Sequence, residues 1–239
     1  MELDGFWELI ERSQEATSDQ QARLQWLEVE LARRPPAEII DFYLWLDRTR
    51  RRADTWQMWG AAYLICDGLC SDDGFWYFQL WLVGLGREAF ELAVEDPDNL
   101  AGVAEVVRLA GRPTDAWQPD EWPDWESLDY VAVEAYEQVT GSDIHDAAVV
   151  RDHDWRSSPR PSDARWDFED PVEAARRLPR LSWMFPLTDR ATRDQRGREA
   201  FEGMLAERGQ TEEEFIAQFL GPNAGRLGRG DDPVDSDQA

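Results

Sequence analysis

The stretch DGLCSDDGFWYF, Asp67 to Phe78, sets a thiol, a hydroxyl and two adjacent carboxylates ahead of a run of aromatics. Cys70 at a helix start would gain nucleophilicity, because a helix N-terminus lowers a thiol pKa. Two neighbouring aspartates raise it again, and the two histidines, His145 and His153, lie in a distant polar loop. Asp72 and Asp73 could serve a divalent cation or acid–base chemistry. Adjacent helical residues point about 100° apart, so one ion would need a third ligand. Cys70, Asp72, Asp73, Arg87 and Trp56 together form the candidate ligand or cation site. The plainer reading is mechanical: Gly68 stops one helix, Ser71 caps the next, and the two aspartates favour the positive end of its dipole.

Other constellations are weaker. DIHDAAVVRDHDW gathers His145, Asp146, Asp152, His153 and Asp154, but the spacing fits no compact metal motif, so no metal is expected. Cys66 and Cys70 straddle a helix end, which makes a poor metal clip. No GxxxxGK[ST], GxGxxG or GxSxG sequence occurs, and the chain has no lysine, so no cofactor is expected. RTRRR, Arg48 to Arg52, is the dense basic run; at a helix C-terminus the dipole favours it, and the alternative is an anion or partner contact.

The elements that must position these groups are helical. The pattern predicts helices through DGFWELIERSQEA with Asp4 as N-cap, through SDQQARLQWLEVELARR with Ser18 and Gln21 as a capping box, and from Pro36. Another runs through DTWQMWGAAYLIC, with Asp54 and Gln57 at capping-box spacing. Residues 75–90 are apolar around nearly the whole circumference and read as one central buried helix, with Gly84 and Gly86 admitting a close neighbour. Shorter helices end at Gly111 and Gly141, residues 142–170 read mainly as loop, and AAVV is the nearest thing to a strand. The expected fold is all-α: a multi-helix, antiparallel, bundle-like domain over 1–187, a helical extension over 188–220, and a disordered acidic tail over 221–239.

FWELIERS, TWQMWGAAYLI, CSDDGFWYFQLWLVGLGREAF, LDYVAVEAYEQVTG and RRLPRL carry a resemblance. Over about residues 1–185 the chain resembles a bacterial family, common in actinobacteria, that bears domain of unknown function 4240. The WGAAYLI, CSDDGF and GRE block is the most specific part. The family pattern has two glycines just before the cysteine, where this chain has Gly68 and Leu69. The resemblance implies a helical fold and no particular activity.

The net charge of −25, from 50 acidic and 25 basic side chains, argues against direct binding to nucleic acid or an anionic membrane. No signal-peptide pattern or membrane-length apolar run appears, so a cytoplasmic protein is expected. Of the 13 tryptophans, Trp7, Trp45, Trp56, Trp59, Trp76 and Trp81 fall on apolar helices and read as core. Trp117, Trp122, Trp125, Trp155 and Trp166 fall in polar, proline-containing stretches. Either these loops wrap the domain and bury their indoles, or some are exposed anchors. In the second case Trp117, Trp122 and Trp125 with Asp120, Glu121 and Asp124 form candidate partner contacts. The function expected is non-enzymatic: an adaptor, immunity-like or antitoxin-like module for a basic protein partner. The alternatives are an enzyme or a small-ligand or cation binder at the Cys70–Gly74 turn, and a nucleic-acid mimic.

Overall fold

The computed structural model describes residues 1–149 and 158–215. His153 with Asp152 and Asp154, Trp155, the end of the predicted 188–220 extension and the tail over 221–239 lie outside the described residues. Among the described residues every regular element is helical. The chain divides into two compact units, Met1–Thr188 and Asp189–Ala239.

The first unit opens with α1 (Leu3–Ala16), α2 (Gln20–Ala32) and α3 (Pro36–Arg50). α1 buries Phe6, Trp7, Leu9 and Ile10 on one stripe, as its three- and four-residue spacing requires. It starts earlier than Asp4, which sits in its first turn. At α2 the cap is Asp19, not Ser18, its carboxylate accepting from Ala22 N at 2.7 Å. α3 opens on Pro36, whose missing N–H costs nothing in a first turn. At α4 (Trp56–Ile65) the cap is Thr55, accepting from Met58 N at 3.0 Å, in place of Asp54. Gly68, at φ +83°, ends this helix by returning its N–H to Tyr63 O at 2.8 Å.

The predicted central helix over 75–90 is two helices, α5 (Asp72–Gly84) and α6 (Arg87–Glu95). Gly86 has φ +91°, in the left-handed region that interrupts a right-handed helix and favours glycine. Gly84 does admit a close neighbour. A Cβ there would stand 2.5 Å from the Trp125 ring, so the bare backbone is what lets that indole seat.

A 3₁₀ turn over Pro97–Gly102 leads into α7 (Ala104–Leu109). Three short 3₁₀ turns through the acidic loop then lead to α8 (Val131–Thr140), which packs on α2 and α3. α9 (Ile144–Val149) takes Ala147–Val149 of the AAVV stretch, which is therefore helix there and not strand. α10 (Pro171–Arg177) and α11 (Pro179–Met184) close the unit.

Carboxylates fasten this returning chain. Asp54 accepts from Arg160 N at 2.8 Å, and Asp163 accepts from Trp56 N and Gln57 N, capping α4 from more than a hundred residues away. Buried Asp98 accepts from Arg180 N and Leu181 N at 3.1 and 3.0 Å, supplying α11 with the cap it lacks. Asp67 takes Thr188 N and Oγ1 at 2.8 and 2.9 Å. Trp166 lies where a Cβ on Gly60 would stand, 2.2 Å away, and its Nε1 donates to Trp56 O at 3.2 Å.

In the second unit α12 (Arg190–Arg208) starts on Asp189, which accepts from Thr192 N at 3.0 Å, and stops at Gly209 with φ +62°. Thr211 and Glu214 then exchange the two bonds of a capping box.

Candidate functional site

The Cys70–Gly74 turn is built as a helix start. Ser71 Oγ accepts from Gly74 N at 3.1 Å, and Asp72 and Asp73 are exposed in the first turn of α5. Cys70 is half-buried against the core, its carbonyl accepting from Trp59 Nε1 at 3.4 Å. Burial pushes its thiol up to about 12, away from the thiolate a nucleophile needs. Burial also raises the Cys66 thiol well above its ordinary range.

Of the other members of the predicted set, Trp56 lies one ring away from the turn, behind Trp59, and Arg87 lies at the far end of α5. Trp56 is stacked on Trp59 at 5.1 Å and carries the Arg165 guanidinium over its ring at 4.9 Å. Arg87 pairs with Asp4 at 2.8 Å at the far end of α5, a helix of 13 residues, so about 20 Å separates it from Asp72. The structure therefore does not bring Arg87 to the turn. Among the described residues no three His, Cys, Asp or Glu side chains converge as metal ligands. His145 Nδ1 lies 2.7 Å from Asp143, and its ring meets Tyr43 edge-on at 5.7 Å.

The acidic loop turns its tryptophans inward. Trp125 is 2% exposed, with the Arg23 guanidinium over its ring at 4.5 Å; Trp117 is buried, and half-buried Trp122 meets it edge-on at 5.0 Å. Trp117 and Trp125 thus belong to the core and offer a partner no surface. Glu121 is held bidentately by Arg112 at 2.6 and 2.7 Å, and that bond, with one from Gln118 N, lowers its carboxyl to about 2. Asp120 and Asp124 remain exposed. Among the helical tryptophans, Trp7, Trp76 and Trp81 are buried, while Trp45, Trp56 and Trp59 are only partly so.

Two arrangements lay outside the sequence reading. The first is a buried guanidinium from the RTRRR run. Arg50 is 1% exposed and donates to Asp47 Oδ1 at 2.7 Å and to Gln79 Oε1 at 2.6 Å. It lies 3.3 Å over the Trp76 ring, whose Nε1 donates to Asp129 Oδ2 at 3.2 Å. Burial lowers the Arg50 pKa and raises that of Asp129. The node joins α3, α5 and the 126–129 turn, and its chemistry is that of a fastener: each side chain has a partner in another, although Arg50 Nε and Gln79 Nε2 are buried without a hydrogen bond among the described residues. Of its neighbours in the run, Arg51 pairs with Asp47 at 2.7 Å, and exposed Arg52 grips Glu91 at 2.6 and 2.7 Å.

The second is a cleft of about 680 Å³ between α1, α6 and the 97–105 segment, within the size range of ligand sites. The turn at Gly86 creates it. Glu11 on α1 accepts from Arg87 N at 3.3 Å, which sets the start of α6 beside α1. Asn99 Nδ2 donates to Leu92 O at 3.0 Å and holds the 3₁₀ turn against the end of α6. With α11 capped by Asp98, Arg180 reaches the cleft over Gly102, where a Cβ would lie 3.3 Å from its Nη2. Leu85, Leu92 and Val103 line the interior, and Glu11, Glu15, Glu88 and Glu105 contribute the carboxylates. The sequence signals that could have found it were the second glycine of GLG and the exposed Glu11–Glu15 turn of α1. Arg180 had none, because its place depends on Asp98.

The model of a family described as protein of unknown function (DUF4240) matches residues 1–138. That stretch covers more than half of the chain and includes the α1, α6 and 97–105 walls of the cleft, while Arg180 lies beyond it. No curated protein and no solved structure matches the chain.

Proposed function

The chain belongs to the DUF4240 family, and we propose that it is a non-enzymatic, acidic interaction module of the cytoplasm, adaptor-, immunity- or antitoxin-like, that binds a basic protein partner. The observation that carries this reading is how the charges are divided. The chain has 25 basic side chains against 50 acidic ones, and many of the arginines are engaged within the molecule. Arg23 and Arg50 are buried, and Arg51, Arg112 and Arg177 are tied to Asp47, Glu121 and Glu173. Among the described residues Asp47, Asp54 and Asp98 are the buried carboxylates and the others are at least partly exposed, which favours cationic partners and steers their approach. The raised pKa of the half-buried Cys70 thiol and the separation of Arg87 from the acidic turn weigh against chemistry there.

Affinity purification from the native host at low and high salt, with mass-spectrometric identification, tests the reading. The expected result is a near-stoichiometric basic protein that is lost at high salt. A clean monomer in both conditions overturns it.

A further inference from the structure

Resting on that reading, we infer that the cleft between α1, α6 and the 97–105 segment is the docking site, and that its occupant is a basic, amphipathic segment of the partner. Two features of different kinds meet there. Leu85, Leu92 and Val103 give the lining an apolar strip, and Leu92 keeps 47% of its surface exposed within it. The rim carries carboxylates, two of which the molecule leaves unpaired. Glu15 and Glu88 have no ion-pair partner among the described residues, and Glu105 has only Arg108 at 3.6 Å. By contrast Asp54, Asp67, Asp98 and Asp163 are taken up by backbone N–H groups, and Glu121 by Arg112.

Charge complementarity names the occupant. Of the two arginines at the cleft, Arg87 is neutralised by Asp4 at 2.8 Å, so Arg180 is the one lining cation without an ion pair among the described residues. A segment with leucine-like side chains would cover Leu92 and Val103 while its lysines or arginines meet Glu15, Glu88 and Glu105. Glu11 and Glu15 stand one helical turn apart, a spacing of about 5–6 Å that suits cations four residues apart on a docked helix. Arg180 disfavours a uniformly cationic strand and sets the register of a segment with one acidic or carboxylate group at that end.

The test uses the full chain and two fluorescein-labelled probes, a helical leucine–lysine amphipathic peptide and polyarginine, read by anisotropy. One variant combines Glu15→Gln, Glu88→Gln and Glu105→Gln; a charge-matched control combines Asp72→Asn, Asp73→Asn and Asp120→Asn. The cleft variant is expected to weaken binding of the amphipathic peptide about tenfold, a few partly screened charge contacts, while the control changes it by less than about twofold. Hydrogen exchange on the unmodified chain gives a second readout, with peptide-induced protection expected at the 11–15 turn and the start of α6. Equal weakening in both variants, or protection centred on the 72–73 turn, overturns the cleft while leaving an acidic interaction module standing. No binding of either probe overturns both.

Discussion

Two regions of this molecule gather carboxylates around a helix end, and they use them in opposite ways. At the start of α5, Asp72 and Asp73 stand in solvent beside an exposed Ser71 cap, adjacent in sequence and bonded to little beyond the dipole. At the end of α3, Asp47 and the distant Asp129 are drawn inward around Arg50 and Trp76. The first cluster is conspicuous in the sequence and structurally minor. The second cannot be seen in the sequence and ties three elements together. Local density of reactive side chains along the sequence is therefore a poor measure of importance to the fold; what matters is how much water each group has lost and what replaced it.

The sharpest way to break that comparison is to remove Arg50. Arg50→Ala takes from Asp47 one of its two arginine partners, leaving Arg51, orphans the buried Gln79 Oε1 and strips the Trp76 ring of its cation. A loss of about 3 kcal/mol in urea unfolding is expected, the upper end for leaving buried acceptors, Gln79 Oε1 and Asp47 Oδ1, without their donor. A loss below about 1 kcal/mol would mean that water replaces the arginine and that the node is ornamental.

The turn makes its own prediction about reactivity. Burial raises the Cys70 thiol to about 12 from an ordinary 9.0, so at neutral pH it holds roughly a thousandfold less thiolate than a free cysteine. The raised value puts the reactive form at high pH, so the alkylation rate by iodoacetamide should be very low at pH 8 and keep climbing toward pH 12. A rate that levels off near pH 7 would restore Cys70 as a nucleophile.

Gly84 probes the seat of Trp125, where the acidic loop meets the core. A Cβ there would overlap the indole, so Gly84→Ala should cost about 1–3 kcal/mol, the usual price of overpacking. In a Trp125→Ala background the same change should cost almost nothing, since the space is then free. Additive losses in that double-mutant cycle would place the strain in the α5 backbone instead.

The fold class was legible because apolar residues at helical spacing and glycine stops are local signals, and Gly68, Gly111 and Gly141 all take positive φ. Details failed wherever a distant residue decided them. Thr55 caps α4 with help from Asp163, which releases the expected cap, Asp54, to bind Arg160. Gly84 and Gly86 looked like one device, and only the structure separates a contact from a turn. Arg50 read as part of a solvated helix end because Trp76, Gln79 and Asp129 arrive from later in the chain. The cleft had two visible walls in Glu11–Glu15 and GLG, but its cation, Arg180, is set there through Asp98.

The smallest effect lies where the sequence is loudest. Asp72→Asn and Asp73→Asn each remove a charge from the α5 N-terminus without disturbing the Ser71 bond to Gly74 N. Each should cost about 0.3–1 kcal/mol at low ionic strength and less as salt screens the dipole. Ser71→Ala removes the cap itself and should cost about 0.5–2 kcal/mol, nearly independent of salt. The two responses to salt separate a mechanical helix start from a site. If the double asparagine variant kept full stability at every salt concentration yet abolished partner capture, the carboxylates would be binding groups and the contrast with Arg50 would collapse. A small, salt-sensitive loss with capture intact leaves them as what their exposure indicates, charges set against the end of a helix.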